Sequence, residues 1–210
     1  MTDRPRARRS APRPETRPRP GNKAPALAIT IRAQSRQWRA LGNLATLRAQ
    51  VTQATQAALS VAPVQPLDGA ELSLLLTDDK RIRIVNRDWR GFDKATNVLS
   101  FPAAPPDRIA RSPMLGDIVV AYETVEREAQ AEGKSLHDHL SHLVIHGLLH
   151  LLGEDHESET EARRMEGLEV AALARIGIAD PYADGELIAR PQPVSAISPQ
   201  APTRDQPPRS

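Results

Sequence analysis

The chain has 210 residues, enough for one globular domain with a self-sustaining core, and a formal net charge of +2. It contains no cysteine, which excludes disulfides, thiolate metal sites, iron–sulfur clusters and cysteine nucleophiles, so any metal ion must be held by histidine or carboxylate. No apolar run approaches the ~20 residues that span a bilayer, and no signal-peptide pattern follows the basic start. We therefore expect a cytoplasmic protein without membrane contacts.

Both ends differ in composition from the middle. Residues 1–20 carry seven arginines and five prolines, and residues 191–210 carry six prolines. Neither end has enough large aliphatic side chains to offset the entropy of ordering, so we predict disordered tails over 1–22 and 187–210 and a folded domain over 23–186. Composition leaves two interpretations of the tails open: non-specific contacts with RNA phosphates, or a solubilising extension without a partner.

The first half of the domain is predicted to contain two strands and two helices. Residues 27–31 alternate apolar with small or polar side chains, which is the period of a half-buried strand. Residues 38–59 form a predicted helix, because apolar residues recur there at helical spacing: Leu41, Leu44, Leu47 and Val51. The apolar run over 71–77 predicts a second strand. A second helix then begins near Asp78 and ends at Gly91.

The second half of the domain is predicted to begin with a strand over 96–101, a proline-rich loop over 102–113 and a strand over 115–121. Three helices follow, over 123–132, 135–152 and 158–176. The last of them places four apolar residues on its inner face: Met165, Leu168, Ala172 and Ile176. Strands and helices alternate without internal repeats, so we predict an α+β fold, a small mixed sheet of about four strands covered by helices.

A histidine-rich segment, H-G-L-L-H-L-L-G-E-D-H, occupies residues 146–156. His146 and His150 are four residues apart, which places both imidazoles on one face of a helix, close enough to share a metal ion. A continuous helix would turn His156 away from that face, but Gly153 favours a helix end after which the chain can return His156 toward the pair. The segment therefore predicts one zinc ion with its fourth coordination position open for chemistry.

Two histidines at helical spacing are, by themselves, more often ordinary surface or core residues than ligands. The third histidine and the glycine before it favour ligation over that alternative. Among the remaining histidines, His142 lies one turn before His146, and we expect it to pack against or support the site. We expect His137 and His139 to be solvated.

The spacing of the three histidines matches the metzincin metalloprotease pattern H-E-x-x-H-x-x-G-x-x-H at every position but one. In those proteases the glutamate after the first histidine is the general base. Gly147 stands at that position here, so peptide hydrolysis would lack its usual base. Glu154 and Asp155 are candidate substitutes, but neither lies on the helical face that the missing glutamate would use.

Several segments together resemble the YbeY family of bacterial rRNA maturation factors. They are V-N-R-D-W-R-G-F-D-K-A-T-N-V-L-S-F-P (residues 85–102), L-G-D-I-V (115–119), the histidine-rich segment and D-P-Y (180–182). The resemblance covers most of residues 70–182, and the motifs are highly specific in combination. This chain has Glu154 where the family usually has tyrosine, and Ala95 where it usually has proline.

The resemblance implies a zinc-dependent, single-strand-specific endoribonuclease that matures the 3′ end of 16S rRNA and serves in quality control of the small ribosomal subunit. It implies His146, His150 and His156 as zinc ligands, and Arg90 as an arginine important for activity on RNA. The implied partners are the 16S rRNA precursor and the small ribosomal subunit. A guanidinium suits this role because it can hold two phosphoryl oxygens at once and stays charged.

The sequence offers little support for base stacking as a means of recognition, because the chain has only two residues each of Trp, Tyr and Phe. Two other functions stay open beside the nuclease. One is a zinc peptidase on the same scaffold, against which Gly147 counts. The other is a non-catalytic ribosome-assembly factor whose zinc only stabilises the fold, in which case His156→Ala should melt the domain.

Overall fold

The computed structural model describes residues 25–183 as a four-stranded sheet with helices on both faces. The predicted tails, 1–22 and 187–210, and the outermost residues of the predicted domain, 23–24 and 184–186, lie outside the described residues. Among the helices of that described stretch, none is long and apolar enough to cross a membrane.

The strands of the sheet are β1 Ala28–Ala33, β2 Glu71–Thr77, β3 Val98–Pro102 and β4 Met114–Ala121. Their order across the sheet is β1-β2-β4-β3. β1, β2 and β4 run parallel, whereas β3 runs antiparallel to β4. The predicted small mixed sheet in an α+β fold is therefore confirmed. In this order β3 is an edge strand, with one side of its backbone turned away from the sheet.

The α-helices of the described residues are α1 Leu44–Val61, α2 Asp79–Arg90, α3 Tyr122–Ala131, α4 Leu136–Leu151 and α5 Glu159–Arg175. Four of them begin after a side chain that accepts a backbone N–H of the first turn: Asn43, Asp78, Ser135 and Ser158. Such caps satisfy donors that the helix itself leaves unpaired. The short polar side chains therefore set where these helices begin.

The two faces of the sheet carry different helices, and the alternation of side chains along β4 shows how. Ile118 and Val120 point into the main core, which α1, α4 and α5 complete. Val119 and Ala121 point to the other face and pack with Ile82 of α2. Because successive residues of a strand face opposite sides, α2 and α4 lie on opposite faces of the sheet.

Gly147 lets the central helix α4 lie close against the sheet. A Cβ atom at this position would lie 3.0 Å from Oγ of Ser100 and 3.1 Å from two side-chain carbons of Ile118. These distances are shorter than ordinary van der Waals contact, so no larger residue fits without displacing its neighbours. The close approach holds the histidines on either side of Gly147 beside β3.

The predicted helix over 38–59 is wrong in its first turns. A 3-10 helix, Arg36–Leu41, comes first, and α1 begins only after Gly42 and Asn43. Gly42 has a φ of 103°, which breaks the helical path, and Asn43 then caps a new helix. Leu44, one of the apolar residues whose spacing predicted the helix, consequently lies in the first turn of α1 and is exposed.

The predicted loop over 102–113 contains a 3-10 helix, Pro106–Arg111. Its Ile109 is buried, and the Cδ1 atom of this side chain lies 3.2 Å from the position that a Cβ on Gly153 would take. Proline at the start of the segment fixes φ and lowers the entropy lost on ordering. The proline-rich segment therefore packs against the turn that follows α4.

Candidate metal centre

The turn after α4 has the form that the sequence predicts. Gly153 has a φ of 91°, and its N–H donates to the carbonyl of His150 at 3.0 Å. The N–H of Glu154 donates to the carbonyl of Leu149, also at 3.0 Å. Such bonds satisfy carbonyls at the end of a helix and reverse the direction of the chain. The predicted helix end at Gly153 is confirmed, and the chain returns toward α4.

This return brings together the three histidines that the sequence singles out. One ring nitrogen from each of His146, His150 and His156 can be chosen so that all lie within 4.8 Å of one another. The ring centroids of His146 and His150 are 4.6 Å apart, and His156 lies 5.6 Å and 5.0 Å from them. Three imidazoles at such distances form a group that could hold a metal ion.

The hydrogen bonds of the rings determine which nitrogens remain for a metal. Nδ1 of His150 donates to the carbonyl of Glu154 at 2.9 Å, and Nδ1 of His146 donates to Oε1 of Glu169 at 2.7 Å. A ring that donates through Nδ1 keeps a lone pair on Nε2 when it carries that one proton, so Nε2 is the nitrogen left for a metal in both rings. Nε2 of His156 is buried, with no hydrogen-bond partner among residues 25–183.

The two Nε2 atoms of His146 and His150 lie 3.1 Å apart. Two lone pairs at this distance repel each other unless a cation lies between them. Zinc–nitrogen bonds of about 2.0–2.1 Å at a tetrahedral angle would place two ligand nitrogens ~3.3 Å apart. The spacing, the donor set and the partnerless Nε2 of His156 therefore fit a metal ion bound by three imidazoles.

The surroundings also keep the rings in the form that binds metal. Burial, together with His146 and His156 beside it, lowers the pKa of His150 to about 2. Burial and the neighbouring His146 also lower the pKa of His156. Both rings are thus neutral near pH 7, and only a neutral imidazole can donate its lone pair to a metal.

Glu169 is a buried carboxylate behind the histidines that sequence reasoning missed. Its Oε1 accepts from His146, and its Oε2 lies 2.7 Å from Nε2 of His142 and also accepts from the hydroxyl of Tyr182. Burial opposes ionisation of Glu169, but His146 and His142 hold its pKa well below the usual value. Burial and the Glu169 carboxylate together raise the pKa of Tyr182. Glu169 therefore fixes the orientation of His146.

A signal for Glu169 was present in the sequence. It lies four residues after Met165 and three before Ala172, within the apolar face predicted for the last helix. A carboxylate on such a face requires a partner, because burying an unpaired charge is costly. The supporting role expected for His142 agrees with its bond to Glu169.

The prediction for His139 is wrong, whereas the one for His137 is confirmed. His137 has an exposed side chain. His139 is buried, and its Nε2 lies 2.9 Å from Oε2 of Glu128. The same carboxylate oxygen accepts from Nδ2 of Asn97 at 3.0 Å. His139 is therefore part of a buried polar contact between α4, α3 and the start of β3.

Arg90 is the last residue of α2 and is half-buried. Its guanidinium carbon lies 5.9 Å from the ring centroid of Phe92, and burial lowers its pKa. Arginine nevertheless stays charged near neutral pH. α2 and the histidine-bearing α4 lie on opposite faces of the sheet, so Arg90 belongs to a different element and a different face from the three histidines.

The family model described as "Endoribonuclease YbeY" matches residues 32–177. The endoribonuclease YbeY of Rhizobium meliloti is 51% identical over 163 residues, covering 76% of this chain and 96% of that protein. The corresponding protein of Sinorhizobium fredii is 50% identical over 163 residues, covering 76% and 94%.

Among solved structures, the solution structure of TM1509 from Thermotoga maritima has a TM-score of 0.46 and 22% identity, and the match covers 71% of this chain and 91% of that one. The family assignment does not depend on this likeness. It depends on the family model and on relatives about half of whose residues are identical over most of both chains. The chain belongs to the endoribonuclease YbeY family.

Proposed function

We propose that the protein is a zinc-dependent endoribonuclease that cuts single-stranded RNA, with one zinc ion per chain bound by His146, His150 and His156. The observation that carries the proposal is the 3.1 Å separation of two Nε2 lone pairs beside a third, partnerless Nε2. Three neutral imidazoles with no thiolate or carboxylate among them suit Zn²⁺ and leave one coordination position open. When bound there, zinc supplies a Lewis acid and lowers the pKa of coordinated water toward neutrality.

Arg90 supplies the positive charge that the chain itself brings to phosphodiester cleavage. Negative charge accumulates on the phosphoryl oxygens during this reaction, and a planar guanidinium can hold two of them at once. Arg90 ends α2, next to a glycine that terminates the helix, and is partly shielded from water. Partial burial strengthens its electrostatic effect relative to that of a fully solvated charge.

The substrate we propose is the precursor of 16S rRNA near its 3′ end, met by the protein on or near the small ribosomal subunit in the cytoplasm. Family membership supports an RNA substrate, since the relatives are named endoribonucleases, and the resemblance to rRNA maturation factors is the reason for choosing this RNA. A role in quality control of the small subunit belongs to the same proposal. Arginines in the tails would add contacts with RNA phosphates.

The structure gives a reason to rank a peptidase lower. The position of the protease glutamate is Gly147, and a side chain there would collide with Ser100 and Ile118. Glu154, a candidate substitute, has its carboxylate paired with Arg164 at 2.9 Å and is buried. A carboxylate held in this way is poorly placed to take a proton from a metal-bound water.

The test combines metal analysis of the purified protein with cleavage of a single-stranded fragment of the rRNA precursor. We expect the wild type to contain one zinc per chain and to cut the fragment. His150→Ala should contain little zinc and should not cut. Arg90→Ala should keep its zinc but lose ~10²–10³-fold in kcat, the usual cost of removing one group that stabilises transition-state charge. Arg87→Ala, an exposed arginine in the same helical turn, is the matched control and should cut normally.

Equal cutting by all these variants would reveal a contaminating nuclease and end the enzyme proposal. Turnover of a peptide library without RNA cleavage would favour the peptidase instead. The assembly-factor alternative predicts that His156→Ala unfolds the domain, whereas a catalytic site predicts lost activity with a modest loss of stability. Thermal unfolding of His156→Ala separates these two alternatives.

A further inference from the structure

Two of the chain's few aromatic residues are exposed at the end of α2. Trp89 is 59% exposed and Phe92 is 47% exposed. By contrast, Trp38 and Tyr122 are buried. Large aromatic surfaces in contact with water carry a hydrophobic cost, and such surfaces often bind a ligand. The small number of aromatic residues suggested that base stacking contributes little to recognition. The position of these two exposed rings favours stacking instead.

Both rings are held in place and flanked by cations. The indole of Trp89 packs edge-on against Phe101 of β3, with ring centroids 5.7 Å apart. Phe92 has the guanidinium of Arg90 and the ammonium of Lys94 on its ring, each 5.9 Å from the centroid. Proteins that bind single-stranded nucleic acids combine aromatic rings with nearby positive charges. The bases stack on the rings, and the phosphates contact the cations.

The two acidic residues of this stretch, Asp88 and Asp93, are each paired with an arginine. Asp93 is bound through both carboxylate oxygens by Arg83, at 2.8 Å each, and Asp88 is paired with Arg87 at 2.8 Å. Each of these carboxylates thus has its own arginine within the surface. Residues 83–94 carry four basic side chains, Arg83, Arg87, Arg90 and Lys94, against these two aspartates, so the formal charge of this stretch is positive. Such a surface suits an anionic strand better than an acidic protein.

β3 connects this surface to the candidate metal centre. Ser100 of β3 faces Gly147, which directly follows His146 in α4. The next residue, Phe101, faces the opposite side of the sheet and contacts Trp89. β3 is an edge strand, so the surface around Trp89 and the candidate metal centre lie on the two sides of one outermost strand of the sheet. An RNA strand that passes around this edge could place a base on Trp89 and its backbone near the histidines.

We propose that Trp89 and Phe92 stack on unpaired bases of the RNA, while Lys94 holds a phosphate that adjoins the one assigned above to Arg90. The inference rests on the proposed endoribonuclease function and adds to it the residues that recognise the substrate. Bases in a duplex have both faces covered by their neighbours, so only an unpaired base can stack on an indole. The surface thereby gives a physical cause for preference for single strands.

The test measures binding of the full chain, with its metal, to three short probes. They are a single-stranded RNA with a cleavage-resistant backbone, the same sequence as a duplex, and a sugar–phosphate oligomer of equal length without bases. Trp89→Ala should bind the single strand about 10-fold or more weakly than the wild type, and bind the base-free oligomer equally well. Trp89→Phe, which keeps a ring, and Ile84→Ala, an exposed apolar residue on the same helix, should stay within ~3-fold.

Cleavage of a natural single strand separates this inference from the proposed function. If the wild type cuts, and Trp89→Ala cuts with a raised KM and a nearly unchanged kcat, the result supports both the stacking inference and the nuclease function. Cutting with unchanged KM in Trp89→Ala overturns stacking and leaves the nuclease intact. Selective loss of single-strand binding in Trp89→Ala without any cutting by the wild type supports stacking and ends the nuclease. Equal loss for all three probes overturns stacking, because a base-independent loss cannot come from contacts with bases.

Discussion

Nδ1 of His146 lies 2.7 Å from Oε1 of Glu169, and both side chains are buried. The carboxylate comes from α5 and the histidine from α4, so the bond joins two helices as well as orienting a ring. A histidine that donates to a carboxylate presents its other nitrogen in a fixed direction and with greater basicity. The candidate metal centre therefore extends one residue beyond its three imidazoles.

Glu169→Gln should weaken metal binding. The amide can still accept from Nδ1 of His146, but the negative charge that makes the imidazole more basic is lost. We expect zinc affinity to fall ~10–100-fold, as measured by competition with a chromogenic chelator. Glu159→Gln, an exposed residue in the first turn of the same helix, is the control and should bind zinc as the wild type does. Unchanged affinity in Glu169→Gln would show that this carboxylate only fills space.

Much of the fold could be predicted from hydrophobic patterns alone. The run over 71–77 and the alternation over 27–31 give strands close to where they are found. The start of α1 could not be predicted in this way, because Leu41 and Leu44 keep helical spacing across the break. The conformation of Gly42 and the cap supplied by Asn43 override that spacing. A hydrophobic period contains no information about either effect.

The metal site was predictable because it depends on local geometry. His146 and His150 share a helix, and one glycine decides where His156 goes. Glu169 and the environment of His139 depend instead on how separate helices pack, and that contact is long-range in sequence. A polar residue on an apolar face signals that a partner exists, but it does not say which one.

Stability of the metal-free protein should fall as the pH is lowered from neutral. Folding lowers the pKa of His150 from 6.5 to about 2, so between these values the unfolded chain binds a proton that the folded chain does not. The stabilisation is therefore complete above pH 6.5 and is lost progressively as the pH falls toward 2. One such proton gives a slope of up to ~1.4 kcal/mol per pH unit in the free energy of unfolding.

Urea denaturation of chelator-treated protein between pH 7 and pH 5 measures this slope. Most carboxylates stay ionised down to roughly pH 5, so their titration adds little to it. Lowering of the pKa of His156 by burial acts in the same direction. His150→Gln should reduce the slope. A free energy of unfolding independent of pH over this range would contradict the burial of a neutral His150.

Glu128→Ala should destabilise the fold without affecting metal binding. The carboxylate serves both Nε2 of the buried His139 and Nδ2 of Asn97, and its loss leaves both groups unsatisfied. Leaving buried polar groups without partners costs about 1–3 kcal/mol. Thermal unfolding should show this loss, whereas zinc affinity should be unchanged. Glu159→Ala, which breaks an exposed ion pair, should cost less than ~1 kcal/mol. Similar effects of the two substitutions would contradict a structural role for Glu128.

Gly147→Ala should destabilise the protein even though alanine favours helices. Replacing a helical glycine gains up to ~1 kcal/mol, but the added methyl group would press on Ser100 at 3.0 Å and on the fully buried Ile118 at 3.1 Å. Overpacking of a filled core costs ~1–3 kcal/mol, so the loss should exceed the gain. Gly167→Ala is the matched control. A Cβ atom added at Gly167, in α5, would meet nothing within 4 Å, so this variant should show only the gain in helix stability. Denaturation midpoints that shift upward in both variants would mean that α4 can move away from β3, and the collision argument against a glutamate at this position would fail.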